Sequence, residues 1–163
     1  MNIQDRFTEV IKENEGIIFK ISTFYTNNED DQKDLYQEIV MQLWKSFEQF
    51  RGESKISTWL YRVALNTAIS LFKKEKRRGD KVPIDLAILK YTDSRDEIFE
   101  ERIKLLYDHI SRLNELEKGL MLLCLEENSY DEIASITGLT VSNVGTRISR
   151  IKQKLKTQIA NSK

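Results

Sequence analysis

Apolar residues recur at helical spacing along nearly the whole chain, and the rhythm breaks decisively only between residues 79 and 95. Phe7, Val10, Ile11, Ile18, Ile21 and Tyr25 form one stripe, and Leu35, Ile39, Leu43, Phe47 and Phe50 form another. Alternating patterns of the kind a half-buried strand needs are scarce. The break holds Gly79-Asp80, the chain's only proline at Pro83, and Asp93-Ser94. This pattern predicts an all-α fold of two small helical domains, residues 1–78 and 96–163. A flexible linker over 79–95, with one short helical turn at 84–89, would join them. Helices are predicted up to Asn27-Asn28, from residue 30 or 31 to 50, and from a cap at Ser57 or Thr58 to 78. Others follow at 96–113, 115–126, 130–137 and 141–157. Each domain is so small that its isolated core should be marginal.

Bulk properties exclude several classes of function. A chain that is 40% hydrophobic and 32% charged is too apolar for wholesale disorder. No apolar run is long enough to insert in a membrane. The N-terminus MNIQDRFTEV is amphipathic and acidic, unlike a signal peptide. The single cysteine, Cys124, cannot form an internal disulfide and fits a reducing cytoplasm, where it reads as a small core residue. His109 is the only histidine, and with no second His or nearby Cys it anchors no ordinary metal site. No glycine loop for phosphate and no nucleophile–base pairing appear, so neither a catalytic set, a metal nor a cofactor is expected.

The formal net charge of zero conceals four blocks. Residues 1–40 carry a net −5, 61–82 a net +5, 91–132 a net −7 and 140–163 a net +6. A basic stripe meets polyanion and an acidic one avoids it, so two basic blocks suggest two contacts with nucleic acid.

The second basic block overlaps "SYDEIASITGLTVSNVGTRISRIKQKL", residues 129–155, which has the spacing of a helix-turn-helix. Ala134 is small where two helices must approach, and Gly138 permits a left-handed turn. Leu139, Val144 and Ile148 supply the apolar seam, and Thr140 is a natural cap that Asn143 can assist. Asn143, Thr146, Arg147 and Arg150 lie off that seam and can reach phosphates and base edges, with Lys152, Lys154 and Lys156 extending the cationic face. The alternative is a two-helix packing unit with a solvated basic face.

The first basic block ends "FRGESKISTWLYRVALNTAISLFKKEKRR", residues 50–78. At 100° per residue, Leu60, Val63, Ala64, Thr67 and Leu71 form a core arc. Trp59, Arg62, Asn66 and Lys73 share another arc, with Ser70 between them. An aromatic, an amide and cations suit unpaired bases, and Lys73, Lys74 and the run to Arg78 suit phosphate. The alternative is that Trp59 simply covers the preceding helix.

Residues 34–78, "DLYQEIVMQLWKSFEQFRGESKISTWLYRVALNTAISLFKKEKRR", resemble region 2 of the extracytoplasmic-function sigma factors of bacterial RNA polymerase. The C-terminal motif resembles their region 4, and the likeness covers nearly everything but the linker. It implies a cytoplasmic, non-enzymatic factor that binds core RNA polymerase and a two-part promoter, both as duplex and as melted non-template strand. It also implies an anti-sigma partner. Asp34, Gln37 and Glu38, with Leu35 beside them, match positions that dock on the polymerase clamp helices. Phe50 and the loop from Arg51 to Ile56, including Ser54 and Lys55, match the segment that captures a flipped base of the minus-ten element. Asn66 matches a position that helps form that pocket, while Trp59, Tyr61 and Arg62 sit near the melting strand. Thr146, Arg147, Ser149, Arg150 and Lys152 match the helix that reads the minus-thirty-five element. Gly145 departs from the pattern, standing where relatives often carry Arg or Lys. Rival readings are a free-standing helix-turn-helix regulator and a pure protein-interaction module.

Overall fold

The computed structural model describes residues 2–50, 52, 54–76 and 97–161; the expected linker at 79–95, its short turn at 84–89, and Arg51 fall outside them. Seven helices account for the regular structure among the described residues: α1 Ile3–Phe24, α2 Glu29–Phe47, α3 Ile56–Lys76, α4 Glu97–Ser111, α5 Glu115–Leu125, α6 Tyr130–Thr137 and α7 Val141–Asn161. Their starts are set by short polar side chains. Asn2, Asn28, Asn114 and Ser129 each accept the backbone N–H three residues on, satisfying a first-turn donor. Asn114 with Glu117, and Ser129 with Glu132, complete reciprocal capping boxes. The third helix starts ahead of the expected Ser57 or Thr58 cap: the Trp59 N–H already bonds the Lys55 carbonyl at 3.2 Å, and Thr58 is buried. In α1, Asn14 leaves helical geometry at φ −122°, where its side-chain amide donates to the Val10 carbonyl at 2.9 Å.

Helices α1, α2 and α3 enclose Ile18, Ile21, Phe24, Ile39, Leu43, Leu60 and Ala64, all fully or almost fully buried. Helices α4 to α7 enclose Ile110, Leu113, Leu120, Leu123, Ile133, Val144 and Ile148. The expected turn between α6 and α7 is present. Gly138 adopts φ +80°, its N–H bonds the Ala134 carbonyl at 2.9 Å, and the Thr140 hydroxyl accepts the Asn143 N–H at 3.0 Å.

The sequence left the relation between the two domains open. In the structure α3 joins them, packing on α1 and α2 with one side and on α5 and α6 with the other. Within the expected core arc Leu60 and Ala64 are buried, while Val63, Thr67 and Leu71 are half-buried. The second side is a stripe the sequence reading missed: Tyr61, Leu65, Ala68 and Phe72 recur at four, three and four residues. Across it the Tyr25 phenol donates to the Glu115 carbonyl at 2.9 Å, and the Lys20 ammonium meets the Glu126 carboxylate at 2.8 Å. Arg62 donates to the Ser135 carbonyl on α6. Gly119 lets α5 come close, since a Cβ there would stand 3.2 Å from the Tyr25 hydroxyl and 3.6 Å from Leu65. The Tyr25 ring also lies 5.9 Å from Phe72, and Phe24 lies 6.2 Å from Tyr107. Two cores that would each be marginal alone thus merge into one apolar cluster.

Two outcomes follow from this packing. Gly138→Ala places a Cβ on a left-handed residue and is expected to lower unfolding free energy by about 1 kcal/mol, read from a urea titration. Burial first, then the Glu115 carboxylate, push the Tyr25 phenol well above its ordinary 10.0. Its stabilising contribution is complete below the unfolded value and drains away as pH rises beyond it. The thermal midpoint should therefore fall above about pH 10, and less steeply in Tyr25→Phe, with Tyr61 and Tyr107 supplying the residual slope.

Candidate nucleic-acid interface

Helix α7 is divided cleanly by its apolar seam. Val144, Ile148, Ile151 and Leu155 are buried, whereas Asn143, Thr146, Arg147, Ser149, Arg150 and Lys152 lie off the seam and are all exposed. The Arg147 Nε donates to the Asn143 side-chain oxygen at 2.8 Å, so Asn143 steadies an arginine rather than assisting the helix cap as the sequence suggested. A groove of about 300 Å³ separates this face from the start of α5, with Asn143, Thr146, Arg147 and Arg150 on one wall and Asn114 and Glu117 on the other. The Glu117 carboxylate faces the Asn114 N–H at 3.3 Å, which engages it in the α5 cap. Gly145 lies under the ring of Tyr130, with 3.6 Å between the ring and the place a Cβ would occupy.

On the N-terminal domain, α2 and α3 flank a cleft of about 480 Å³. Asn66 and Ser70 are exposed on its wall, with half-buried Glu38, Gln42, Ser46 and Thr67 beside them. Amides and hydroxyls at that density can donate to and accept from base edges. Because α3 is packed on two sides, Arg62, Asn66 and Ser70 are its only exposed residues between 56 and 72, spaced four apart in one line. Lys73 and Lys74 continue α3, and their side chains lie outside the described set.

Three expectations are corrected. Trp59 does not belong to the exposed strip: it is 7% exposed, with its ring 5.2 Å from Phe50 and 6.0 Å from Phe47. A bulky apolar ring gains more from that aromatic pocket than from solvent, and there it props the segment between α2 and α3. Phe50 is half-buried on top of it, with half-buried Ser54 and exposed Lys55 following in the same segment. Arg62 is exposed as expected but is engaged by the Ser135 carbonyl of the other domain. Leu35, grouped with the docking residues, is 3% exposed and so fastens α2 to the core from beneath.

Above Leu35, Asp34 and Gln37 are exposed, and the half-buried Glu38 carboxylate accepts from Gln42 at 3.1 Å. Met41 and Trp44, 51% and 41% exposed, continue this side of α2. Sequence reasoning missed both, although a signal existed: two large apolar residues stand out of register with Leu35, Ile39, Leu43 and Phe47. Among the described residues, no group of His, Cys, Asp or Glu has the arrangement to hold a metal, and no helix is long and apolar enough to cross a membrane.

Comparison with known proteins agrees with this geometry. Residues 10–78 match the family model of sigma-70 region 2, and residues 103–155 match that of sigma-70 region 4. The ECF RNA polymerase sigma-E factor of Haemophilus influenzae is 30% identical over 142 residues, 80% of this chain and 75% of that protein. The RNA polymerase sigma factor YlaC of Bacillus subtilis is 26% identical over 167 residues, 99% of this chain and 94% of its own. Two solved structures share the fold: CnrH in complex with the cytosolic domain of CnrY, and RpoE in complex with the anti-sigma factor NepR from Bartonella quintana. The first has a TM-score of 0.69 at 19% identity, covering 98% of this chain and 91% of that one. The second has a TM-score of 0.67 at 15% identity, covering 96% and 97%. With both DNA-facing modules matched in order along one chain, the protein belongs to the extracytoplasmic-function (ECF) sigma factors of RNA polymerase.

Proposed function

We propose that this sigma factor, a non-enzymatic initiation factor that binds RNA polymerase and promoter DNA, divides its work between the three surfaces described above. The exposed side of α2, with Asp34, Gln37, Glu38, Met41 and Trp44, docks on core polymerase. Carboxylates set beside apolar side chains suit a basic helical partner. The α7 face of Asn143, Thr146, Arg147, Ser149, Arg150 and Lys152 lies in the major groove of the minus-thirty-five element. The cleft around Asn66, with Phe50, Ser54 and Lys55 and the basic end of α3 at Lys73 and Lys74, receives the minus-ten element. Melting is driven by binding energy, through capture of an extruded base and its strand. Trp59 acts from below by holding Phe50 in place.

One observation carries this reading: a helix with an exposed cationic face and a cleft with amide and hydroxyl lining occur in the same chain as an exposed strip, partly apolar, on α2. A free-standing regulator has no use for that strip. Such a factor works in the bacterial cytoplasm, where polymerase and promoter meet. CnrH was solved with CnrY and RpoE with an anti-sigma factor, which supports a sequestering partner for this chain as well.

Run-off transcription with core polymerase on genomic fragments should give a discrete start site. In Asn66→Ala the open-complex yield should fall about tenfold or more, a loss of roughly 1.4 kcal/mol or greater, with affinity for the minus-thirty-five duplex unchanged. Absence of any start site with the unaltered chain refutes the assignment. For Arg150→Ala with Lys152→Ala, a holoenzyme salt titration should show a slope of log affinity against log salt shallower by about 1.8, about 0.9 for each phosphate no longer neutralised.

A further inference from the structure

We infer that Val141, Gly145 and Tyr130 form an apolar notch on α7 that selects the C5-methyl group of a thymine in the promoter. The inference rests on the placing of α7 at the minus-thirty-five element proposed above. Its first support is that the two flanks of α7 differ in chemistry. At about 100° per residue, Asn143, Arg147, Arg150 and Lys154 follow one another down one flank, and Val141, Gly145, Ser149 and Lys152 down the other. The first flank is polar or cationic throughout, and its Asn143, Arg147 and Arg150 wall the groove toward α5. The second opens with an apolar side chain and a glycine. Val141 is 45% exposed, and Tyr130 is 40% exposed with its ring against Gly145. Among the described residues of α6 and α7, these are the only large apolar side chains left exposed. Scattered singly they would need no explanation, but here both border one glycine.

Its second support is Gly145 itself. Glycine weakens a helix interior, and the fold does not demand it here, since a Cβ would stand 3.6 Å from two carbons of the Tyr130 ring, an ordinary contact. What glycine supplies is bare backbone, which lets a ligand come close. Its third support is position along the chain. A helix in the major groove touches base edges with its N-terminal residues, while the helix before it crosses the backbone. Val141 opens α7, Gly145 lies about one turn further on, and Tyr130 opens α6. Among the bases only thymine presents an apolar group in that groove. Aliphatic and aromatic carbon gains by covering that methyl, whereas it would leave the cytosine amine or the guanine carbonyl desolvated and unpaired. The notch therefore favours thymine both by what it covers and by what it cannot satisfy.

Removing the methyl group alone tests the notch. The run-off start site locates the promoter, and the probes are duplexes of it in which each thymine of the minus-thirty-five region, on either strand, is replaced singly by deoxyuridine. Holoenzyme affinity for each is read by competition against the unmodified duplex. At one position affinity should fall about fourfold, the factor that burial of one methyl carbon is worth. Tyr130→Ala and Val141→Ala should each bring that ratio toward one, while Tyr130→Phe, which keeps the ring, should preserve it. Arg147→Ala should weaken binding of both duplexes alike. Val141 is exposed at the first position of α7, so its truncation decides the matter even where loss of the Tyr130 ring unfolds the motif. The absence of any sensitive thymine, a ratio unmoved by Val141→Ala, or a ratio lost in Tyr130→Phe would each overturn the notch. Equal affinity for a promoter whose whole minus-thirty-five region is scrambled would instead overturn the placing of α7.

Discussion

Burial of α3 on two opposite sides is the constraint on which the rest of the molecule depends. One side completes the three-helix N-terminal domain, and the other seats the C-terminal one. A helix has only so much circumference, so this leaves a single line of solvent-facing positions, at Arg62, Asn66 and Ser70, leading toward Lys73. Between residues 56 and 72 the solvent-facing polar groups of α3 are confined to that line. The aromatic that looked free to stack, Trp59, instead becomes the floor under Phe50.

The α7 face and the cleft between α2 and α3 are built on different principles. On α7 the seam of Val144, Ile148, Ile151 and Leu155 is so regular that the positions between are left to cations and hydroxyls. The N-terminal surface is a cleft between two helices, and its polar lining comes from both α2 and α3. A protruding helix face suits an intact groove, and a recess suits something that leaves the duplex.

Local features were legible in the sequence to the degree that they depend on neighbours along the chain. The turn at Gly138 with its Thr140 cap, the stripe of α2 and the exposed cationic face of α7 could all be read from spacing, because each is decided within two or three helical turns. The caps at Asn114 and Ser129 carry the same kind of local signal, each with glutamate three residues on. What escaped was decided by distant residues. Tyr61, Leu65, Ala68 and Phe72 form a periodic stripe, yet a helix already supplied with one core face gave no reason to seek a second. The angle of Trp59 on an ideal wheel pointed to solvent, while its burial is decided by Phe47 and Phe50. The engagement of Arg62 by Ser135 spans 73 residues, beyond the reach of any local rule.

The contact between Gly145 and Tyr130 carries a consequence for how this protein can diverge. Space for a first side-chain carbon is already present at an ordinary van der Waals distance, and the residue sits in regular helix, where glycine is about 1 kcal/mol poorer than alanine. A mutation to alanine there meets no steric barrier and gains helix propensity, and a longer side chain would add a group on the reading helix one residue from Thr146. At this position, then, the first step away from glycine carries no folding penalty, so the exposed face of α7 has room to vary.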